Sequence, residues 1–573
     1  MEPARPHVNG KGPCACDGAR WVTRISLVLL GLALVRAWLA RWTCDDAFIS
    51  FRYAQNLAEG AGLVWNRGER VEGITNLLWT LLLAPAAAVK ADLSLVAQAL
   101  GVLSLGALGM VLLRWSENGR TRTPVPLALW MAMLSPDLLT WATGGLETMT
   151  FAAVAAALAL LLDPAREHSP RRQVAAGLLA ALLFLLRPDG ALIAGVFAVW
   201  ASVRSWQRSG KRAAFAVVAR VAVPLALTIV GATLFRRLYF GDFMPNTFHT
   251  KSAGSAYWYP GLRYVGLLLL REYGLAVALL IGVGVTAFTW RRGRLVEGAG
   301  APAAAALVFA LYVARSGGDF MFARRLVPVV PLALMAVERA LIPRLPHTAR
   351  TAVAITLVIG AALPTPIYRW WGDRGRIGFV ADEPAFYPQA TLDLRRAQAE
   401  ALTRTFEGID ATFMMEGGLC MLAYYSQLPH IIDVNGLTDR RIGHMEVVAR
   451  GRPGHEKQAS DAYVEERRIH FLIRNTPPPG SPVPRAVAVA EGLVPLQWLL
   501  YDDAVMRPLA ARPGVIFLPI EEHLRRERGA IAQDSCDEAR TRLARLRRYY
   551  FRWNPEASGI EQEVAAETAA RCR

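Results

Sequence analysis

Charge is scarce in this chain: 19% of its 573 residues are Asp, Glu, Lys or Arg, while 53% belong to the AVILMFWYC set. So apolar a sequence buries surface, which excludes disorder, and the balance does not suit a wholly soluble protein. Cysteine is scarce too, six in all and too few for a disulfide scaffold. Cys14 and Cys16 lie near the N-terminus, Cys44 abuts an acidic pair, and Cys420, Cys536 and Cys572 lie in the polar tail. If that tail is outside the cytoplasm, a Cys536–Cys572 bridge would pin the C-terminus, a pairing the spacing leaves open. No His or Cys spacing resembles a zinc site; His249, His430, His444 and His455 are scattered and read as structural. A phosphate-binding loop, a Gly-x-Ser-x-Gly elbow and an internal repeat are all lacking, and the Gly-Gly pairs read as turns.

The net charge of +17 suggests nucleic acid only until it is located. From Trp370 to Arg573 there are 27 basic and 28 acidic residues, so the excess belongs to the apolar part of the chain. There it sits in short loops between hydrophobic runs, the pattern that orients membrane proteins. Between residues 24 and 368 about eleven runs approach the roughly 20 residues that span a bilayer. With the N-terminus inside, the loops 1–24, 114–122, 163–172, 204–212, 291–297 and 338–350 become cytoplasmic and hold 20 basic against 7 acidic residues. Ile74 to Val89, with Pro85 inside it, is left out of the count, because including it would destroy this bias; it suits a re-entrant or interfacial helix.

The expected organisation is a cytoplasmic segment 1–23, a polytopic helical membrane domain 24–368 with an outer loop 41–91, and a soluble extracytoplasmic domain 369–573. In the tail, Ala411 to Glu416, Gly417-Gly418, a helical stretch to Tyr425 and His430 to Val434 read as strand, turn, helix, strand. His470 to Ile473 reads as another strand, giving an α/β layered domain. The Arg-rich stretch near Arg540 to Arg552 reads as a solvated or membrane-facing surface.

Chemistry concentrates in the first outer loop. Asp45 and Asp46 adjoin the first apolar run, and two neighbouring carboxylates repel one another unless something uses them. On a helix, Asp45, Ile49, Arg52 and Asn56 share one face and Ala47, Phe51, Ala54 and Ala58 the other, which predicts a helix lying along the interface with its acids toward a cleft. The plainer alternative, equally weighted on the pair alone, is a helix N-cap. Other outer loops carry Glu147, Asp189, Lys251, Asp319, Arg324 and Arg325 beside Gly or Pro turns. Outer loops should be poor in cations near the bilayer, so Arg52, Lys251, Arg315, Arg324 and Arg325 ask for a reason; phosphate supplies one and lipid headgroups another. Asp45, Asp46, Glu72 and Asp319 could also hold Mg²⁺, Mn²⁺ or Ca²⁺ through oxygen, although no metal is required.

The stretch Asp45-Asp-Ala-Phe-Ile-Ser-Phe-Arg-Tyr-Ala54, continued by Gly62-Leu-Val-Trp-Asn-Arg-Gly-Glu-Arg-Val-Glu-Gly-Ile-Thr-Asn76, resembles the first outer loop of polytopic C-type glycosyltransferases. Within them it is most similar to bacterial terminal arabinofuranosyltransferases that use polyprenyl-phosphate arabinose. Leu186-Arg-Pro-Asp-Gly190, Pro245-Asn-Thr247, Gly317-Gly-Asp-Phe320 and Gly436-Leu-Thr-Asp-Arg440 add weaker likenesses. The resemblance implies a glycosyltransferase of the bacterial inner membrane with catalytic Asp45 and Asp46, a polyprenyl-phosphate sugar donor and an extracytoplasmic glycan or lipid acceptor. Arg52, Glu72, Asn76, Lys251, Asp319, Arg324 and Arg325 are the expected substrate-binding residues. A transporter or flippase of lipid-linked saccharides is the alternative; it would place charge near mid-bilayer and show repeats.

Overall fold

A computed structural model describes residues 15–118, 125–163, 169–251, 254–291, 299–362, 375–474, 486–489, 495–513, 515–516, 520–553 and 558–573. Cys14, Trp370 and the prolines Pro477 to Pro479 lie outside them. The chain divides into two units: Met1–Trp42, Ser94–Gly231 and Ala256–Asp382 form the first, and Thr43–Leu93, Ala232–Ser255 and Glu383–Arg573 form the second. The polar tail thus shares its unit with the first loop and with the segment around Pro245.

The first unit is helical because its apolar runs are long and poor in turn formers. Among the described residues three helices, Arg20–Leu39, Leu93–Glu117 and Lys211–Tyr239, are long and apolar enough to cross a membrane, the last extending from this unit into the second. The pair Trp258–Arg271 and Tyr273–Gly284, bent by 102°, would make a fourth span. These helices leave large apolar side chains uncovered, Val28, Leu103, Leu227 and Leu280 among them, and hydrocarbon is the solvent in which such faces cost nothing. The chain is a multi-pass membrane protein on this ground. Close helix contact depends on missing side chains: a Cβ on Gly101 would stand 1.8 Å from the Ala142 carbonyl oxygen, and one on Gly261 would stand 1.8 Å from that of Ala314. Charges inside the unit are paired, Arg339 with Asp163 at 2.8 Å and Arg271 with Asp137 at 2.9 Å.

The second unit contains the sheet. After the small hairpin of β1 (Arg376–Ile377) and β2 (Val380–Ala381) in the first unit, the strands are β3 (Phe413–Met415), β4 (Ile431–Asp433), β5 (Phe471–Ile473), β6 (Ala486–Val489), β7 (Pro495–Trp498) and β8 (Val515–Ile516). Their order is β4-β3-β5-β7-β6-β8. β3 pairs in parallel with β4 and β5, placing Phe413 beside Ile431 and Phe471, and the remaining pairs are antiparallel. β3, β4 and β5 fall inside the stretches read as strands from the sequence, and the helix Cys420–Ser426 overruns by one residue the stretch read as helical to Tyr425. The helix Leu77–Ala88 has 12 residues with Pro85 inside it. At 1.5 Å per residue it is about 18 Å long, short of the roughly 30 Å hydrocarbon core.

The Arg-rich helix Cys536–Tyr549 starts at a capping box made by Ser535 and Glu538. Its cations face acids of this unit: Arg542 pairs with Glu527 and Asp534, and Arg545 with Glu527. A disulfide joins Cys536 to Cys572, connecting this helix to the end of the C-terminal helix Ser558–Arg571.

Candidate active site

Asp45 and Asp46 open the helix Ala47–Ala58, and the helix is not interfacial. Ala47 through Ala54 and Asn56 are all buried, so protein surrounds the face expected to meet water as well as the apolar one. Its polar side chains find backbone instead. Arg52 donates from Nε to the Trp65 carbonyl at 2.9 Å, from Nη1 to that of Ala423 at 2.5 Å and from Nη2 to that of Leu428 at 2.7 Å. Its guanidinium also lies 4.8 Å from the Trp65 ring centre. Asn56 donates to the carbonyls of Val64 and Trp65 at 2.9 and 3.0 Å. An arginine predicted to meet phosphate is thus spent on three carbonyls that bind the first loop to the tail.

The two acids differ sharply. Asp45 is 2% exposed, and its carboxylate accepts from the backbone N–H groups of Cys420 and Met421, both at 2.9 Å. Those are the first amides of the helix Cys420–Ser426, where N–H groups lack intrahelical partners. Burial raises the Asp45 carboxyl to about 6, and the charge of Asp46 adds to this, while the two amides act against it. Asp46 is half-buried and stands at the N-cap position in helical conformation, with no side-chain capping bond. The capping alternative therefore does not describe it. Its charge acts on Asp45, Asp433, Cys420, Tyr387 and His455, which defines the neighbourhood it shares.

Most of that neighbourhood escaped the sequence analysis, because its members lie in the tail some 340 to 410 positions further along the chain. Asp433, at the end of β4, is buried and accepts from the amides of Asn435 at 3.1 Å and Leu437 at 2.7 Å; burial raises it to about 6. His455 is driven down to about 4 by burial and by Arg452, so its ring is neutral near pH 7. Gly417 keeps the space open: a Cβ there would meet Asn435 Nδ2 at 3.2 Å and His455 Nε2 at 3.4 Å. Cations come from Arg395, acted on by Asp45, and from Lys251, whose charge reaches His455 and whose stem lies against Gly454. The signal that could have pointed here is the Gly417-Gly418 turn between two short strands, followed by an acid at a strand's C-terminal end.

The remaining predicted residues hold loops in shape. Glu72 is buried, and both its oxygens accept from Arg236, at 2.5 and 3.1 Å. Asn76 accepts from the hydroxyls of Ser50 at 3.1 Å and Thr80 at 3.3 Å. Asn246, from the Pro-Asn-Thr likeness, donates to the carbonyls of Gly436, Leu437 and Asp439 at 2.8 to 3.0 Å. It thereby fixes a turn in which Gly436 has φ +80° and no room for a Cβ. These residues belong to the second unit. In the first, Asp319 accepts from Arg324 Nε at 2.7 Å, and Arg325 donates to Ser316 Oγ at 2.7 Å and the Gly318 carbonyl at 3.0 Å. Glu72 and Asp319, once weighed as metal ligands, each have an arginine on their carboxylate.

A multi-pass membrane protein with a recessed acid pair is what the fold and this geometry define. Compared with known proteins, the chain is 31% identical over 410 residues to a terminal beta-(1->2)-arabinofuranosyltransferase of Mycobacterium tuberculosis, covering 62% of this chain and 64% of that protein. A protein of the same name from Corynebacterium glutamicum is 29% identical over 348 residues, covering 53% of this chain and 48% of its own length. The chain thus spans less than two thirds of either relative, and the resemblance read from the first loop is borne out at that level. No family model matches. Among solved structures, ArnT from Cupriavidus metallidurans bound to undecaprenyl phosphate matches with a TM-score of 0.44 and 13% identity, over 73% of this chain and 86% of its own. The apo form matches with a TM-score of 0.46 and 12% identity, over 83% and 98%. Scores this low transfer no function.

Proposed function

We propose that this protein is a membrane glycosyltransferase that moves a sugar, arabinofuranose being the first candidate, from a polyprenyl-phosphate donor to an extracytoplasmic glycan or lipid acceptor. The carrying observation is the acid pair: Asp45 is buried and fixed by two backbone amides, and next to it Asp46, only partly buried, opens the same helix. The similarity to two arabinofuranosyltransferases supports the same reading.

In this scheme Asp46 is the general base. It takes the proton of an acceptor hydroxyl as that oxygen bonds to the anomeric carbon, and the bond from that carbon to the phosphate oxygen breaks. The polyprenyl phosphate leaves with the electron pair, and Lys251 and Arg395 offset the charge it gathers. Asp45 positions the base, since the amides it accepts from secure the start of the helix that carries Asp46. Arg52, Glu72 and Asn76 maintain the loop around the acids; Asp319, Arg324 and Arg325 shape the corresponding turn of the helical unit. Outside the cytoplasm there is no nucleotide pool, which makes a lipid-borne donor the reasonable form of activated sugar.

The positive-inside bias puts the N-terminus in the cytoplasm and the tail outside, and the Cys536–Cys572 bridge suits that oxidising side. A reporter fused after Arg573 should read as extracytoplasmic; a cytoplasmic signal would overturn the orientation. The decisive test incubates purified protein with a panel of polyprenyl-phosphate sugars and an arabinan-type acceptor. Release of free polyprenyl phosphate with at least one donor is expected. No release from any of them, by protein that remains folded, would refute the proposal.

A further inference from the structure

Two histidines and an aspartate meet in the second unit, apart from the acid pair. The ring of His249, on the short helix Asn246–Thr250, stacks on that of His444, at the end of the helix Arg440–His444, with centroids 3.9 Å apart and planes 28° apart. Asp242, seven residues before His249 in the chain, directs Oδ2 at both rings, 3.1 Å from His444 Nε2 and 3.4 Å from His249 Nε2. All three potential ligand atoms lie within 4.8 Å of one another.

The hydrogen positions make this arrangement incomplete. His444 Nδ1 lies 2.8 Å from the Arg440 carbonyl oxygen, and because a carbonyl only accepts, Nδ1 carries the hydrogen. In the neutral ring Nε2 then presents a lone pair to a carboxylate oxygen, acceptor against acceptor. His249 Nε2 is buried and makes no hydrogen bond, its 3.4 Å approach to Asp242 notwithstanding. A proton on His444 alone would let Nε2 donate to Asp242 at 3.1 Å, but it leaves His249 Nε2 without a bond. Arg440 is not the missing partner: its Nη2 is 3.8 Å from Asp242 Oδ2 and donates instead to the Gly241 carbonyl at 3.1 Å.

A cation that accepts all three lone pairs resolves it. A tetrahedral ion with bonds of about 2.0 Å has ligand atoms about 3.3 Å apart along each edge; Asp242 Oδ2 stands 3.1 and 3.4 Å from the two ring nitrogens, and the rings, stacked with centroids 3.9 Å apart, would splay on binding to aim both nitrogens at the ion. We infer that Asp242, His249 and His444 form a site for one divalent transition-metal ion, with zinc the best match. Two imidazole nitrogens and one carboxylate select zinc or cobalt over magnesium or calcium, which prefer oxygen. The orienting bonds are already present. The Arg440 carbonyl holds the His444 tautomer, and the Met244 amide donates to Asp242 Oδ1 at 3.1 Å, leaving Oδ2 for the metal. His444 is exposed, so the fourth position is open to water. The ion ties the segment 241–251, which carries Lys251, to the tail helix that follows Asp439.

The test uses full-length protein purified in detergent through a tag that does not bind metal, stripped with EDTA and dialysed. Titration with zinc chloride should load one zinc per chain by mass spectrometry, raise Tm, and with cobalt give the visible absorption of a tetrahedral complex. His444→Ala and Asp242→Asn should weaken zinc binding at least about 100-fold and abolish the Tm rise, while His430→Ala should bind like the parent. Because the titration of the unmutated chain stands alone, a variant that fails to fold leaves the test intact. No zinc retained by the unmutated chain, or zinc retained equally by all variants, would overturn the inference.

Discussion

Replacing Asp45 by Asn should make the protein more stable at neutral pH, although it alters a residue at the centre of the candidate site. Burial holds the Asp45 carboxyl at about 6, roughly two units above an ordinary aspartate. Between about pH 4 and 6 the folded state therefore keeps a proton that the unfolded chain has released. Stability from this group is fully present below the ordinary aspartate range and is lost as pH rises to about 6. At 1.36 kcal/mol per unit the loss totals about 3 kcal/mol, and the asparagine variant does not suffer it. The amide keeps one acceptor for the Cys420 and Met421 amides, so near pH 4 it resembles the protonated acid. Asp433 titrates alike in both proteins and cancels from their difference. Thermal unfolding in detergent at a series of pH values should show the variant near parity at pH 4 and ahead by about 2–3 °C at pH 7.5, since about 2.1 cal/mol/K per residue over 573 residues gives roughly 0.8 °C per kcal/mol. A Tm difference that does not change with pH, or one that moves the other way, would refute the reasoning.

Asp46→Asn should lower transfer by about 10²- to 10⁴-fold without loss of Tm, measured as release of polyprenyl phosphate; full activity would remove it from catalysis. Arg236→Gln leaves the buried carboxylate of Glu72 without its partner and should cost about 3 kcal/mol, read as a fall in Tm that Glu72→Gln in the same chain partly restores. Cys536→Ser opens a bridge between residues 36 apart. By chain entropy it should cost about 4 kcal/mol, visible as a loss of Tm matched by dithiothreitol on the parent. Arg52→Lys cannot reproduce a planar fork aimed at three carbonyls, and limited proteolysis should find the segment 59–70 cut faster than in the parent.

What the sequence determined by itself is whatever depends on local composition. Long apolar runs dictate membrane helices, because backbone polar groups in hydrocarbon must be satisfied within the segment. Short β-rich runs beside Gly417-Gly418 dictate β3, the helix Cys420–Ser426 and β4. The Asp45-Asp46 pair declares itself because adjacent carboxylates at the end of an apolar run need a purpose. Tertiary structure alone decided which acid is buried and which is accessible, since that depends on the Cys420 and Met421 amides, 375 and 376 residues away. It also turned Arg52 from an expected phosphate ligand into a clamp on three carbonyls, and brought His249, His444 and Asp242 together where spacing had shown only scatter. Periodicity records which face of an element is apolar. It carries no information about which distant backbone groups will meet the polar one, and in this protein those meetings set the environment of Asp45 and the partners of Arg52 and Asn246.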